Sequence, residues 1–145
     1  MLDRVIVLVE DNANDEELTL RAFRKSNIVN RVVVVRDGAE ALDYFFSRGC
    51  YANRPPNEVA QVVLLDLKLP KIDGLDVLRA LRSDDRTRLI PIVVLTSSAE
   101  EQDLVRSYGL GANSYVRKPV DFTQFVEAVR QLGLYWLVIN QAAPQ

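Results

Sequence analysis

Hydrophobic residues along the chain fall into two patterns that alternate from one end to the other. Short runs of β-branched and aliphatic residues predict strands, whereas longer segments with apolar residues three and four positions apart predict helices. Five short runs are present, and in chain order they read VIVLV, RVVVV, VVLL, IVVL and SYV. Their alternation with amphipathic segments predicts a βαβ series in one layered α/β domain.

Two of these runs, at residues 5–9 and 62–65, are apolar at every position. Continuous apolar runs are typical of central parallel strands that helices cover on both faces. We therefore predict a doubly wound, five-stranded parallel sheet flanked by five helices, a flavodoxin-like arrangement. In such a sheet the ligand site lies beyond the carboxyl ends of the strands, near the switch point.

A residue suited to starting a helix precedes each amphipathic segment. Helices are predicted over about residues 14–26, 38–46, 75–82, 99–108 and 122–134. The candidate starting residues are Asn14 or Asp15, Asp37, Gly74, Ser98 and Asp121. In the first helix Leu18, Ala22 and Phe23 mark the predicted buried stripe. Between residues 47 and 60 the prolines Pro55 and Pro56 exclude a helix, so we predict a long surface loop.

The length of 145 residues and a composition that is 48% hydrophobic and 26% charged indicate one compact domain. A formal net charge of -2 supplies no basic field to attract nucleic acid or an anionic membrane. The chain start lacks the pattern of a signal peptide, and the apolar segment 132–139 is too short to span a bilayer. We expect a cytoplasmic protein without nucleic acid or membrane partners.

The segment 134–145 begins with the run LYWLVI, which is unusually apolar for a chain end. Such a run can fold back onto its own helix, or it can cover a partner. We predict that residues 1–133 form the domain. We also predict a homodimer that uses the last helix, the fifth strand and this tail.

Histidine is absent and Cys50 is the single cysteine, so any chemistry must use carboxylates, hydroxyls and lysine. Such groups follow four of the predicted strands. In chain order they are Glu10, Asp11 and Asn12, then Asp66, then Thr96 and Ser97, then Lys118 with Pro119. Because the carboxyl ends of parallel strands meet at one edge of a sheet, which we name the rim, these side chains are expected to lie close together.

Three acids that meet on the rim would repel one another unless a cation neutralised them. Mg²⁺ prefers oxygen ligands and usually takes one or two carboxylates while it keeps several waters. We predict that Asp11 and Asp66 bind Mg²⁺ directly. Glu10 would hold a metal-bound water, and the carbonyl group of Lys68 would complete the site.

Beside such a cation, the carboxylate of Asp66 is a candidate nucleophile towards phosphorus, since carboxylates can form acyl phosphates. Thr96 and Lys118 would then hold phosphoryl oxygens. Each residue also has an ordinary structural explanation, because acids form turns, Thr96 can cap a helix and Lys118 can be a solvated cation. Their shared place on the rim favours the functional interpretation.

The segments VLVEDN, LLDLKLPKIDG, VVLTSS and SYVRKP together resemble the receiver domains of two-component response regulators. The resemblance spans roughly residues 4–132. It assigns the acid pair to Glu10 and Asp11, the phosphorylated aspartate to Asp66, the conserved hydroxyl to Thr96, the lysine to Lys118 and the aromatic switch to Tyr115. It also implies a cis peptide bond between Lys118 and Pro119. One departure is Glu10, which stands where the family commonly has aspartate.

A closer similarity is to the stand-alone response regulators that partner cyanobacterial phytochrome histidine kinases. It rests on the opening EDNANDEEL, the long loop after the second helix, the segment DLKLPKIDGLDVL and the YWL tail. The resemblance implies that a phytochrome histidine kinase donates the phosphoryl group. It further implies that the output passes to another protein, which the sequence does not identify.

Three other functions were weighed against this interpretation. A haloacid-dehalogenase-type phosphatase would need a second aspartate two residues beyond its nucleophile, where this chain has Lys68. A flavodoxin-like binding module would need hydroxyls and amides in its first loop, which is acidic here. A degenerate receiver that acts as a phosphorylation-independent interaction module is the main alternative, and the complete set of rim residues argues against it. We predict a phosphoacceptor that assists its own phosphorylation and dephosphorylation rather than an enzyme.

Overall fold

The computed structural model describes residues 1–96, 106 and 108–139. Its strands are β1 (Asp3–Val9), β2 (Val32–Val35), β3 (Glu58–Asp66), β4 (Ile92–Thr96) and β5 (Ser114–Arg117). They form one parallel sheet in the order β2-β1-β3-β4-β5. This order confirms the predicted doubly wound sheet, and its switch point lies between β1 and β3.

The helices in the described part of the chain are α1 (Ala13–Lys25), α2 (Gly38–Phe45), α3 (Gly74–Arg82), α4 (Phe122–Gln131) and the short α5 (Tyr135–Val138). Side-chain oxygens of the residues before α1 to α4 accept backbone N–H bonds from the first turns. These capping residues are Asn12, Asp37, Asp73 and Asp121. Asp37 and Asp121 are the predicted residues, whereas Asn12 and Asp73 cap one to three residues before the predicted Asn14 or Asp15 and Gly74. The helix predicted over 99–108, with its cap Ser98, lies mostly outside the described residues. Among the residues described, no helix is both long and apolar enough to cross a membrane.

The sheet is buried on both faces. Residues 5–9 and 62–65 have no exposed surface. Alternate side chains of these strands enter opposite layers, so one layer holds Val7, Leu65 and Leu78, and the other holds Leu8 and Phe125. This packing fixes the carboxyl ends of β1 and β3 side by side, which is where the acids of the rim begin.

Two local predictions were wrong. Leu18 is 41% exposed, and α1 packs on the sheet through Thr19 and Phe23 instead. The segment 47–60 is not entirely loop, because it contains a short 3₁₀ helix, Gly49–Tyr51, and β3 already begins at Glu58. The carboxylate of Glu58 accepts hydrogen bonds from Tyr44 and Arg31, so a charged residue can start this strand.

The chain end was only partly anticipated. Helix α4 ends three residues earlier than predicted, and Gly133 then turns the chain with a φ of 74°. Val138 and Ile139 are buried in the core, and Ile139 forms an antiparallel bridge with Ile28. Trp136 is 75% exposed. Residues 134–139 therefore fold back through one face and leave Trp136 and Leu137 accessible.

Candidate functional site

The acids of β1 and β3 converge on the rim as the sequence predicted. Val9 and Leu65 are partners in neighbouring parallel strands, so the residues that follow them emerge side by side. Carboxylate oxygens of Glu10, Asp11 and Asp66 all lie within 4.8 Å of one another. Glu10 and Asp66 are buried, whereas Asp11 is exposed. The cluster thus has two buried acids and one that faces solvent.

Lys118 reaches the same cluster from the end of β5. Its Nζ atom lies 3.0 Å from Oε2 of Glu10, 3.0 Å from Oδ2 of Asp66 and, unexpectedly, 2.7 Å from Oδ2 of Asp15. The peptide bond between Lys118 and Pro119 is cis, in agreement with the expectation from the resemblance. An ammonium group has three N–H donors, and three carboxylates surround this one.

Burial controls the electrostatics of this cluster. Removal from water raises the pKa of Glu10 to about 7, and the negative charge and hydrogen bonding of Asp66 add to the increase, while Lys118 opposes it. Burial by itself lowers the pKa of Lys118. The contacts with Asp15, Glu10 and Asp66 raise this pKa by more than burial lowers it, so the net change is upward. The site therefore carries more acid than Lys118 alone neutralises.

The donor set fits a hard divalent cation. The Oε1 atom of Glu10 is buried, and no hydrogen-bond partner for it occurs among the described residues. The Oδ1 atom of Asp66 accepts a bond of 3.1 Å from the backbone N–H of Lys68. The carboxylate oxygens of this cluster are of the ligand type that Mg²⁺ and similar ions prefer, and Oε1 of Glu10 is available to such an ion or to its bound water.

Two glycines hold the loop between β3 and α3 against its neighbours. A Cβ atom on Gly74 would lie 2.2 Å from the carbonyl oxygen of Asp66, and one on Gly38 would lie 1.9 Å from that of Ile72. The N–H of Gly38 also donates to the carbonyl oxygen of Pro70 over 3.3 Å. The loop that follows Asp66 is thus packed backbone to backbone. From the sequence, Gly74 was predicted only as the start of a helix.

Thr96 and Tyr115 lie on β4 and β5, the two strands on the Lys118 side of the sheet. Thr96 ends β4 and is buried, and its carbonyl oxygen accepts a bond of 2.7 Å from the N–H of Lys118. Tyr115 is 41% exposed on β5, and its ring packs edge to face on Tyr108 with 5.6 Å between centroids. It borders an open groove between β5 and α4. Ser97 lies outside the described residues.

Asp15 is the functional candidate that sequence reasoning missed, because it was considered only as a helix start. It lies in the first turn of α1, and a Cα–Cβ bond in a helix tilts towards the amino-terminal end. A carboxylate four residues after Asp11 can therefore point back to the rim. That spacing was the available signal, although nothing local indicated Lys118 as the partner.

Comparison with known proteins agrees with this geometry. A sequence model described as "Response regulator receiver domain" matches residues 6–130. The bacteriophytochrome response regulator AtBRR has 56% identity and a TM-score of 0.86, with 97% of this chain and 99% of AtBRR covered. The bacteriophytochrome response regulator RtBRR has 53% identity and a TM-score of 0.86, with 99% of this chain and 86% of RtBRR covered.

Two curated relatives extend the comparison. The probable methanogenesis regulatory protein FilR2 of Methanothrix harundinacea is 40% identical over 139 residues, which are 95% of this chain and 86% of FilR2. The response regulator Rcp1 of Synechocystis is 36% identical over 135 residues, 92% of this chain and 89% of Rcp1. The Mn²⁺-bound structure of Rcp1 aligns with a TM-score of 0.78 and 33% identity over 94% of this chain and 99% of that one. This chain therefore belongs to the response regulator receiver domain family and is a response regulator of two-component signalling, homologous to those of phytochromes.

Proposed function

We propose that this response regulator accepts a phosphoryl group on Asp66 from a histidine kinase and signals to another protein through a changed surface. The observation that carries the proposal is the convergence of Glu10, Asp11 and Asp66 within 4.8 Å, with Lys118 in contact with two of them. A degenerate receiver would have no need to bury these charges together, since burial of a charged group is unfavourable unless it is paired.

In the proposed reaction, a carboxylate oxygen of Asp66 attacks the phosphorus of a phosphohistidine on the kinase. A phosphorus–oxygen bond forms as the phosphorus–nitrogen bond breaks, and the electron pair of the broken bond stays on the imidazole nitrogen. In this proposal Lys118 stabilises the charge of the group in transfer, and Thr96 holds one of its oxygens. The chain thus assists its own modification and turns over no outside substrate.

We propose that Asp11 and Asp66 bind Mg²⁺ directly, that Glu10 acts through a water and that the carbonyl group of Lys68 completes the set. When bound, the ion neutralises the repulsion between the carboxylates and the incoming phosphoryl oxygens. The acid cluster supports this proposal, as does the Mn²⁺-bound structure of the relative Rcp1. The choice of Mg²⁺ follows from its preference for oxygen ligands.

We propose that phosphorylation draws Thr96 towards the phosphoryl group and that Tyr115 follows it inward. New contacts with the phosphoryl group would shift the population between two arrangements of the surface around β5 and α4. The exposed position of Tyr115 beside an open groove supports a change of this kind, because the ring has room to move. A downstream protein would recognise the altered face.

The proposed phosphoryl donor is a phytochrome histidine kinase. Support comes from AtBRR and RtBRR, whose names identify them as bacteriophytochrome response regulators and which share more than half of their aligned residues with this chain. We place the exchange in the cytoplasm. The net charge of -2 favours protein partners over nucleic acid or an anionic membrane.

Incubation with acetyl phosphate and Mg²⁺ tests the assignment of Asp66. Intact-mass measurement is expected to show a gain of one phosphoryl group in the natural chain and none in Asp66→Asn. Asp85→Asn is the matched control, because this side chain is 98% exposed and lies outside the acid cluster, so it should gain the group normally. No gain in the natural chain, or an equal gain in Asp66→Asn, would contradict the assignment.

We further propose a homodimer formed by α4, β5 and the tail 134–145. Trp136 is 75% exposed, Leu137 51% and Phe122 41%, and large apolar side chains in such positions are characteristic of interfaces. Sedimentation velocity should show a dimer at micromolar protein. Trp136→Glu is expected to weaken the dimer by roughly tenfold or more, the cost of losing a central aromatic contact.

Val59→Glu serves as the control for the dimer, because Val59 is exposed and lines a cleft with Phe45 and Arg86, none of which belongs to α4, β5 or the tail. It should leave the dimer unchanged. A monomer both with and without phosphorylation would refute the proposed assembly.

A further inference from the structure

Lys118 has one more carboxylate neighbour than the proposed chemistry requires. Glu10 and Asp66 belong to the metal and phosphoryl site, whereas Asp15 comes from the first turn of α1. The shortest of the three contacts of the Lys118 Nζ atom is nevertheless the one to Asp15, at 2.7 Å against 3.0 Å for the others. The lysine that should meet the phosphoryl group is therefore already held by a residue outside that site.

The number of donors limits what Lys118 can bind. Its ammonium group has three N–H bonds and no acceptor, and three carboxylates lie within hydrogen-bonding distance of it. Transfer to Asp66 turns its carboxylate into an acyl phosphate, so the N–H bond directed at Asp66 becomes available to one phosphoryl oxygen, while Glu10 and Asp15 occupy the other two. A second phosphoryl oxygen can bind this ammonium only if Glu10 or Asp15 gives up its place.

Burial indicates which carboxylate leaves. The side chain of Glu10 is 0% exposed, whereas that of Asp15 is 28% exposed. A buried carboxylate that loses its partner suffers a large desolvation penalty, but one at the surface is hydrated by water. Asp15 is therefore the partner that Lys118 can release at the smallest cost.

We propose that Asp15 is a latch on Lys118, whose carboxylate occupies an N–H group that a second phosphoryl oxygen takes over after transfer. Asp15 is a positioning residue, since it contacts the lysine and not the reacting atoms. It holds the ammonium in place before phosphorylation and competes with the phosphoryl group afterwards. This inference rests on the proposed role of Asp66 as phosphoacceptor.

If Asp15 acts as this latch, Asp15→Asn should change the affinities for a phosphoryl mimic and for Mg²⁺ in opposite directions. Binding of a phosphoryl mimic should become stronger, because the competing carboxylate is gone. Binding of Mg²⁺ alone should become weaker, because one negative charge next to the acid cluster is lost and Lys118 interacts more fully with Glu10 and Asp66. A merely damaged fold would weaken both.

Calorimetric titration measures both effects. We expect beryllofluoride, in saturating Mg²⁺, to bind Asp15→Asn roughly five- to tenfold more tightly than it binds the natural chain, as for the loss of one partly buried ion pair. Mg²⁺ alone should bind roughly twofold more weakly. Glu16→Gln removes a charge from the same turn, but Glu16 pairs with Arg36 at 3.0 Å rather than with Lys118. This control should leave both affinities within about twofold of the natural values.

Asp15→Glu retains the carboxylate and should restore the natural affinity for beryllofluoride. If Asp15→Asn does not fold, Asp15→Ser removes the same charge with a residue suited to a first helical turn. Unchanged or weaker beryllofluoride binding without this carboxylate, or an equal gain in Glu16→Gln, would overturn the latch. Absence of beryllofluoride binding in the natural chain would instead refute the proposed function.

Discussion

Lys118→Met is expected to lower the free energy of unfolding of the metal-free protein by about 3 kcal/mol, the usual consequence of removing one partner from a buried ion pair. The side chain of Lys118 is 9% exposed, and its Nζ atom contacts the buried carboxylates of Glu10 and Asp66. Methionine has a similar shape but no charge, so the two acids would face each other without a cation. Urea unfolding in the presence of a chelator measures the loss.

The same variant should respond more strongly to Mg²⁺. In the natural chain the ion enters a cluster that Lys118 already neutralises in part, whereas in Lys118→Met it becomes the first cation at the site. At equal Mg²⁺ concentrations, the increase in the midpoint of thermal unfolding should therefore be larger in Lys118→Met. An equal or smaller increase would show that the lysine and the ion do not share these carboxylates.

Lys71→Met provides the matched control for the loss of a lysine near the rim. Lys71 pairs with Asp37 at 3.4 Å, but its side chain is 68% exposed, so its removal should change stability by less than about 0.5 kcal/mol. The effect of Lys118→Met should also shrink in an Asp66→Asn background, because one of the acids that it neutralises is absent. If Lys71→Met and Lys118→Met lowered the free energy of unfolding equally, burial of the ion pair would not explain the effect of Lys118→Met.

Gly74→Ala is expected to destabilise the protein by about 3 kcal/mol or more, which is the upper range for forcing extra atoms into a packed interior. The added Cβ would lie 2.2 Å from the carbonyl oxygen of Asp66 and 2.7 Å from the Cα of Leu67. Backbone atoms cannot rotate away as a side chain does, so the loop after Asp66 must shift. Because that loop carries the carbonyl group of Lys68, Mg²⁺ binding should weaken too.

Gly109→Ala is the control, since a Cβ atom at Gly109 would meet nothing within 4 Å. It should leave both the denaturation midpoint and the Mg²⁺ affinity close to natural values. Calorimetry with Mg²⁺ and urea unfolding measure the two quantities on both variants. If Gly74→Ala keeps natural stability and Mg²⁺ affinity, the tight packing around Asp66 does not position the loop.

The sequence was sufficient to predict the sheet and most helix starts, because both depend on local patterns. Strands buried on both faces must be apolar at every position, and this was visible at residues 5–9 and 62–65. The caps at Asp37 and Asp121 follow from the ability of short polar side chains to accept backbone N–H bonds. The convergence of Glu10, Asp11 and Asp66 followed from parallel topology alone.

The errors arose where distant residues determine the local structure. The carboxylate of Glu58, at the start of β3, accepts hydrogen bonds from Tyr44 and Arg31, and neither lies near it in the sequence. Leu18 was predicted to be buried from helical spacing. Tertiary packing instead buries Thr19 and Phe23 on the face of α1 that contacts the sheet.

By itself, the sequence determined the layered parallel sheet and the acids and lysine at its rim, because hydrophobic periodicity and strand ends are local properties. Only the tertiary structure decided which of these charges touch. Lys118 and Glu10 are 108 residues apart, and Asp15 reaches Lys118 from a helix rather than from a strand end. Contacts between such distant groups depend on how helices and strands pack, and this packing has no local pattern in the chain.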